Sequence, residues 1–178
     1  AAGGVGVTAI EIAKAMGARV IAAASSREKL EFAKGIGADE LINYSEISLK
    51  EKVKEITGGK GADVVYDPVG GELSDAALRA TAWHGRYLVI GFASGEIPKF
   101  SANILLLKEA SAIGVWWGTW AAKNPHKHIQ NIKELGAMIA SGDITPRVTE
   151  EFTIDQYKEA FEVITERRAK GKVILTMN

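Results

Sequence analysis

Apolar and polar positions along this chain alternate between two periods. Val5, Ala9, Ile12, Ala13 and Met16 recur at helical spacing, and Gly17 follows as a stop. Residues 19–24 form a short apolar run that predicts a strand. Ser25-Ser26-Arg27-Glu28 then has Ser and Glu at capping-box spacing and opens a second helix. A strand over 40–43 follows, then a helix over 49–57 that ends at Gly58-Gly59. The strand over 63–66 stops at Asp67-Pro68, because the residue before proline is pushed out of helical geometry. The series continues with a helix over 72–81, a strand over 87–90, and a loop over 91–101 carrying Gly95 and Pro98. An apolar strand over 112–117 comes next, then a long helix marked by Ile129, Ile132, Leu135 and Ile139. Strands alternating with helices predict an α/β fold with a doubly wound parallel sheet.

The pattern changes after Gly142. An isolated extended stretch covers 147–152, Thr153-Ile154-Asp155-Gln156 reads as a capping box opening another helix, and 172–176 is a closing strand. Two segments are therefore expected, 1–142 and 143–178, without an internal repeat or a low-complexity linker.

Charge narrows the partners. Lys plus Arg and Asp plus Glu are both 22, so the net charge is zero, which argues against nucleic acid or an anionic membrane as the main partner. With no cysteine, thiolate metal sites and disulfides are excluded within the chain, which fits a cytoplasmic protein. No apolar run reaches the ~20 residues needed to span a bilayer. His126 and His128 open a helix without a third ligand, so no metal site is expected. His84 reads as a turn residue, and Asp67 as a strand end.

The first residues carry the chemistry. Ala1-Ala2-Gly3-Gly4-Val5-Gly6 fits a dinucleotide fingerprint of the Rossmann type, with Ala in the first glycine position. Gly3 would let the backbone approach a pyrophosphate, Gly6 would let the helix pack closely, and the helix N-terminus would offer free N–H groups. Such a loop follows a strand, so a first strand is expected upstream of Ala1. NAD-binding versions place an acid about 20 residues past the glycines, where it bonds the ribose 2'-hydroxyl. Counting from Gly3 here reaches Ala23, Ala24 and Ser25, with Arg27 and Lys29 close behind, which favours the 2'-phosphate of NADP(H).

Read in order, further motifs join the loop: Val20-Ile21-Ala22-Ala23, Gly37-Ala38-Asp39, Ile42-Asn43-Tyr44, Gly61-Ala62-Asp63-Val64-Val65, Asp67-Pro68-Val69-Gly70-Gly71, Gly85-Arg86-Tyr87-Leu88-Val89-Ile90-Gly91-Phe92 and Gly171-Lys172. Together they resemble the zinc-free, quinone oxidoreductase (zeta-crystallin-like) branch of the medium-chain dehydrogenases and reductases. The Leu-Leu-Leu-Lys and Trp-Trp-Gly of 103–118 resemble the quinone oxidoreductase-like proteins in particular. The resemblance implies that Ala2, Gly3, Gly4 and Val5 face the pyrophosphate. It implies that Ser25, Lys29, Tyr44 and Arg168 hold the 2'-phosphate, and that Val69, Gly91 and Phe92 lie near the nicotinamide. Plainer roles stay open: Ser25 as a helix cap, Lys29 as a solvated surface residue, Tyr44 as a core edge. Residues 143–178 would return to a catalytic domain that is not in this chain, so the chain alone is expected to lack activity. Strand 112–117 would pair with its two-fold mate in a homodimer, with Trp116 or Trp117 at the interface.

The implied activity is NADPH-dependent hydride transfer to a quinone or activated alkene. Alternatives are an enoyl or acyl-thioester reductase of the same superfamily, and a non-catalytic NADP(H)-binding structural or regulatory module. Gly171-Lys172 is followed by Val173, so it is no phosphate-binding Walker loop. None of the four tyrosines has a lysine four residues on, which argues against short-chain dehydrogenases. No catalytic acid or base is assigned.

Overall fold

The computed structural model describes residues 1–177. In chain order the elements are α1 (Gly4–Ala15), β1 (Ile21–Ala24), α2 (Arg27–Ile36), β2 (Glu40–Asn43), α3 (Leu49–Ile56), β3 (Ala62–Asp67), α4 (Leu73–Ala80), β4 (Thr81–Val89), α5 (Ala102–Lys108), β5 (Ser111–Gly114), α6 (Trp117–Lys123), α7 (Pro125–Ser141), β6 (Val148–Thr153), a single 3-10 turn (Ile154–Gln156), α8 (Tyr157–Thr165) and β7 (Lys172–Thr176). Every strand pairing is parallel, in three groups: β1 with β2, β3 with β4 and β5, and β6 with β7. The chain forms two compact units, one of residues 1–45 with 136 onward, the other of 46–135. No described helix is long and apolar enough to cross a membrane.

In the first unit, Ile10 of α1, Ala22 of β1, Ala33 of α2 and Ala38 form a small core, with Val20, Ile36 and Leu41 packed against it. Small residues on β1 let α1 and α2 approach closely. Truncating Ile10 there would cost about 2–5 kcal/mol. The buried face of α1 is Val7, Ile10 and Glu11, whereas Val5 and Met16 of the expected stripe are exposed. This helix is apolar around most of its circumference, so spacing alone could not select its inner face. The cap of α2 is also displaced by one residue. The Ser26 hydroxyl accepts from the Lys29 N–H, so Ser26 is the cap, Ser25 lies outside the helix, and the expected Ser25–Glu28 box does not form. The second box does form: Thr153 and Gln156 bond reciprocally ahead of α8. Strands β2 and β7 match the expected spans.

In the second unit, β4 begins at Thr81 rather than at Tyr87. Its ladder with β3 jumps from Ala62–Thr81 to Val64–Arg86, so Ala82, Trp83, His84 and Gly85 bulge out. The expected helix over 72–81 took in Thr81, and the bulge interrupts the alternation that would have marked the early start. His84 sits at φ 55 and stacks on the Trp83 ring. Gly61 is required beneath it, because a Cβ there would lie 2.5 Å from the Ala80 carbonyl oxygen. Leu78, Tyr87 and Thr81 are fully buried. Two short helices, α5 and α6, went unread in the sequence. The expected strand over 112–117 is shorter: β5 ends at Gly114, and Trp117 starts α6. Seven-residue helices hold barely two turns of period, too little to separate from an apolar strand.

Candidate functional site

The glycine loop lies at the start of α1. Gly3 is the N-cap in extended geometry, and a Cβ there would meet nothing within 4 Å. The first helical bond runs from the Val7 N–H to the Gly3 carbonyl at 2.9 Å, which leaves the N–H groups of Gly4, Val5 and Gly6 without intrahelical acceptors. Three clustered donors, with the partial positive charge of a helix start, suit an anion. Gly6 serves packing instead, since a Cβ there would stand 2.2 Å from the Ala1 carbonyl oxygen. The Ala2 side chain is buried, so only its backbone can serve a ligand. Its carbonyl accepts from the Gly171 N–H at 2.8 Å, and Gly3 bridges Gly171 in parallel. Gly171 is at φ +73, and a Cβ there would come 2.8 Å from the Thr149 methyl.

Ser25 and Tyr44 leave the ends of β1 and β2 side by side. Ala24 pairs with Asn43, the Tyr44 N–H donates to the Ala24 carbonyl at 3.2 Å, and the Ser45 hydroxyl donates to the Ser25 carbonyl at 3.1 Å. Lys29 stands in the first turn of α2, with its ammonium 2.7 Å from the Arg167 carbonyl. Lys170 reaches Glu28 on the same turn at 2.6 Å, and the Glu28 carboxyl is held below its usual range by that bond. The turn carrying Arg168 is therefore docked on the start of α2. The Arg168 guanidinium, more than half exposed, bonds Glu166 at 2.7 Å. The structure thus brings Lys29 and the Arg168 turn together, and sets Ser25 beside Tyr44 at the same strand ends.

Val69, Gly91 and Phe92 lie in the second unit, on the loops after β3 and β4. The Ala93 N–H donates to the Pro68 carbonyl at 3.1 Å, and both the N–H and the hydroxyl of Ser94 donate to the Val69 carbonyl, at 2.9 and 2.7 Å. Gly70, at φ +69, has no room for a Cβ, which would sit 2.7 Å from the Glu96 carbonyl and 3.4 Å from the Phe92 ring. The two loops are stapled into one ledge, with Val69 and Phe92 on its exposed side.

Asp67 does more than end a strand. One carboxylate oxygen accepts from the N–H groups of Val69 and Gly70 at 2.8 and 3.0 Å. The other accepts from the Ser74 hydroxyl at 3.2 Å and from the buried Tyr87 hydroxyl. Sequence reasoning missed Tyr87 and Ser74. The only available signal was a tyrosine in an otherwise aliphatic strand, since a buried phenol requires a partner. Among the described residues, no group of three or more His, Cys, Asp or Glu side chains could hold a metal ion.

Comparison with known proteins fits this geometry. The family model for zinc-binding dehydrogenases matches residues 4–140. The quinone oxidoreductase-like protein 2 of Bos taurus is 40% identical, covering 99% of this chain and 51% of that protein. The structure of Escherichia coli quinone oxidoreductase complexed with NADPH superposes with a TM-score of 0.88 at 32% identity, covering 98% of this chain and 54% of that one. The CurK enoyl reductase superposes with a TM-score of 0.85 at 26% identity, covering 99% and 52%. The chain spans about half the length of the relatives it matches. The chain belongs to the zinc-binding dehydrogenase family, and its relatives include quinone oxidoreductases.

Proposed function

We propose that this chain is the NADP(H)-binding part of a zinc-free oxidoreductase that reduces a quinone or an activated alkene. The observation that carries the reading is the end of β1. No carboxylate stands there to bond a ribose 2'-hydroxyl, and the Lys29 ammonium meets the Arg168 turn instead. An acid at that position would repel a 2'-phosphate; the nearby carboxylates, Glu28 and Glu166, are paired with Lys170 and Arg168. Gly3, Gly4 and Val5 would receive the pyrophosphate, with Ala2 serving through its backbone. Ser25, Lys29, Tyr44 and Arg168 would receive the 2'-phosphate, and Arg168 would exchange Glu166 for it. Val69, Gly91 and Phe92 would border the nicotinamide. The bound dinucleotide supplies the hydride. Val69, Gly91 and Phe92 would hold its ring.

Residues 143–178 belong, in this reading, to a substrate domain built with further chain. The exposed edge of β5 is the proposed seam of a cytoplasmic homodimer, confined to Ser111–Gly114 now that Trp117 lies in a helix.

The likeness to CurK favours one second reading, an enoyl or acyl-thioester reductase. The test is NADPH oxidation by the full-length protein with quinones, 2-alkenals and enoyl-CoA. Turnover with quinones or 2-alkenals supports the first reading and turnover with enoyl-CoA alone supports the second. NADPH binding without turnover would make the protein a non-catalytic module.

A further inference from the structure

The turn after α8 is built against its own backbone preference. Glu166 caps the helix, and the next residue, Arg167, sits in the left-handed region at φ 58. The Arg167 N–H donates to the Ile164 carbonyl at 3.1 Å and the Arg168 N–H to the Val163 carbonyl at 2.9 Å. In this helix-ending pattern glycine is usual at the left-handed position, because a side chain there crowds the backbone. Here an arginine holds it, and residues kept in such geometry gather at functional sites. The turn has a visible product. Residues two apart on a helix do not face each other, yet past Arg167 the Arg168 Nε–H donates back to the Glu166 carboxylate at 2.7 Å. The backbone is fixed on both sides of that pair. The Arg167 carbonyl accepts from Lys29, Lys170 bonds Glu28, and the Gly171 N–H donates to the Ala2 carbonyl of the glycine loop. The segment carrying Arg168 thus ties the start of α2 to the start of α1, and Arg168 changes partner by moving its side chain alone. Both side chains of the pair are more than half exposed, so an incoming anion reaches the guanidinium.

We propose that Glu166 is a resident anion that competes with the cofactor's 2'-phosphate for Arg168, and so restrains the preference for NADPH over NADH. The proposal rests on the NADP(H) reading above. A phosphate engages a guanidinium through two parallel contacts and displaces a carboxylate held through Nε alone. A ribose 2'-hydroxyl carries no charge with which to do so, and NADH leaves the Arg168–Glu166 pair in place. NADPH therefore binds against the cost of opening the pair and NADH does not. When NADPH or its oxidised product leaves, the carboxylate returns and the guanidinium is not left without a counter-charge.

The test is calorimetric titration of the full-length protein with NADPH, NADH and adenosine 2'-phosphate, which carries the 2'-phosphate without the nicotinamide half. Glu166→Gln removes the charge at an exposed position and keeps the shape of the side chain. It should tighten NADPH and adenosine 2'-phosphate about threefold, the scale of an exposed ion pair, with NADH unchanged. Glu162→Gln, one turn back on α8, removes the same charge outside the pair and should change none of the three. In an Arg168→Ala background Glu166→Gln should have no effect, because the carboxylate then has no guanidinium to vacate. Unchanged NADPH and adenosine 2'-phosphate affinities in Glu166→Gln, with the wild-type preference for NADPH intact, overturn the proposal and leave the NADP(H) reading standing. Equal tightening by Glu162→Gln, or a gain that persists without Arg168, reduces Glu166 to a general surface charge and also overturns it. Equal affinities for NADPH and NADH in wild type and Glu166→Gln alike end the reading and the proposal together.

Discussion

The hydroxyl of Tyr87, fully buried on β4, donates to the carboxylate of Asp67 at the end of β3. Asp67 in turn holds the N–H groups of Val69 and Gly70. One carboxylate thus couples a core residue to the exposed turn proposed to border the nicotinamide, and the turn is only as well placed as that bond. Asp67→Ala would orphan the Tyr87 hydroxyl together with those two N–H groups. A loss on the order of 3 kcal/mol is expected, read as a lower urea midpoint of the full-length protein. Where the variant folds, kcat should fall more than NADPH affinity, because the residues proposed to hold the adenosine end are others.

Tyr87 also predicts a pH dependence. Burial, and then the bond to Asp67, push its hydroxyl well above the ordinary phenol range. The folded state therefore holds this proton more tightly than the unfolded state. The stabilisation is complete below the unfolded value of about 10 and is lost as pH rises beyond it. Tyr87→Phe should remove this alkaline dependence and cost about 1 kcal/mol at neutral pH. Denaturation midpoints from pH 7 to about 11 would show it; parallel curves for wild type and variant would contradict the coupling.

A second titration lies at the far end of α1. The Lys14 ammonium bonds both oxygens of Asp39, at 2.8 and 2.9 Å, and the Val20 N–H bonds one of them at 2.6 Å. These bonds, Lys14 first, hold the Asp39 carboxyl below its ordinary range. The stabilisation is present above the unfolded value of about 3.9 and disappears as pH falls further. Asp39→Asn should be less stable than wild type at pH 7, with the gap closing toward pH ~3. A gap independent of pH would refute the electrostatic origin.

Two glycines three residues apart should fail in opposite ways. Gly3→Ala adds a methyl in open space, so folding should be intact while NADPH binding weakens by about tenfold or more. Gly6→Ala drives a methyl onto the Ala1 carbonyl and should lower thermal stability before any ligand is added. Calorimetry with and without NADPH separates the two, and a Gly3→Ala variant that binds normally would remove the pyrophosphate from this loop.

Lys29→Ala tests the choice of cofactor. The ammonium is partly exposed, and exposed ion pairs often contribute about 0–1 kcal/mol. NADPH affinity should therefore fall about threefold to fivefold, with NADH affinity unchanged. If NADPH preference is kept in full, recognition lies with Ser25, Arg27, Tyr44 or Arg168.

Elements with a local cause were legible from residues alone: the glycine loop, β2, β7, the Thr153–Gln156 box, and the helices long enough to show a period. So was the missing carboxylate at the end of β1, which a count of positions can find. The inner face of α1, the choice of Ser26 over Ser25 as cap, the bulge in β4 and the end of β5 were decided by packing, where the chain offers two near-equal local options. The site depended most on tertiary structure. Lys29 meets the Arg167 carbonyl across 138 residues, Gly3 meets Gly171, and Tyr87 meets Asp67 across 20. No periodicity carries such information, because a hydrogen bond between distant residues depends on where the folded backbone brings them, not on the spacing of either one along the chain.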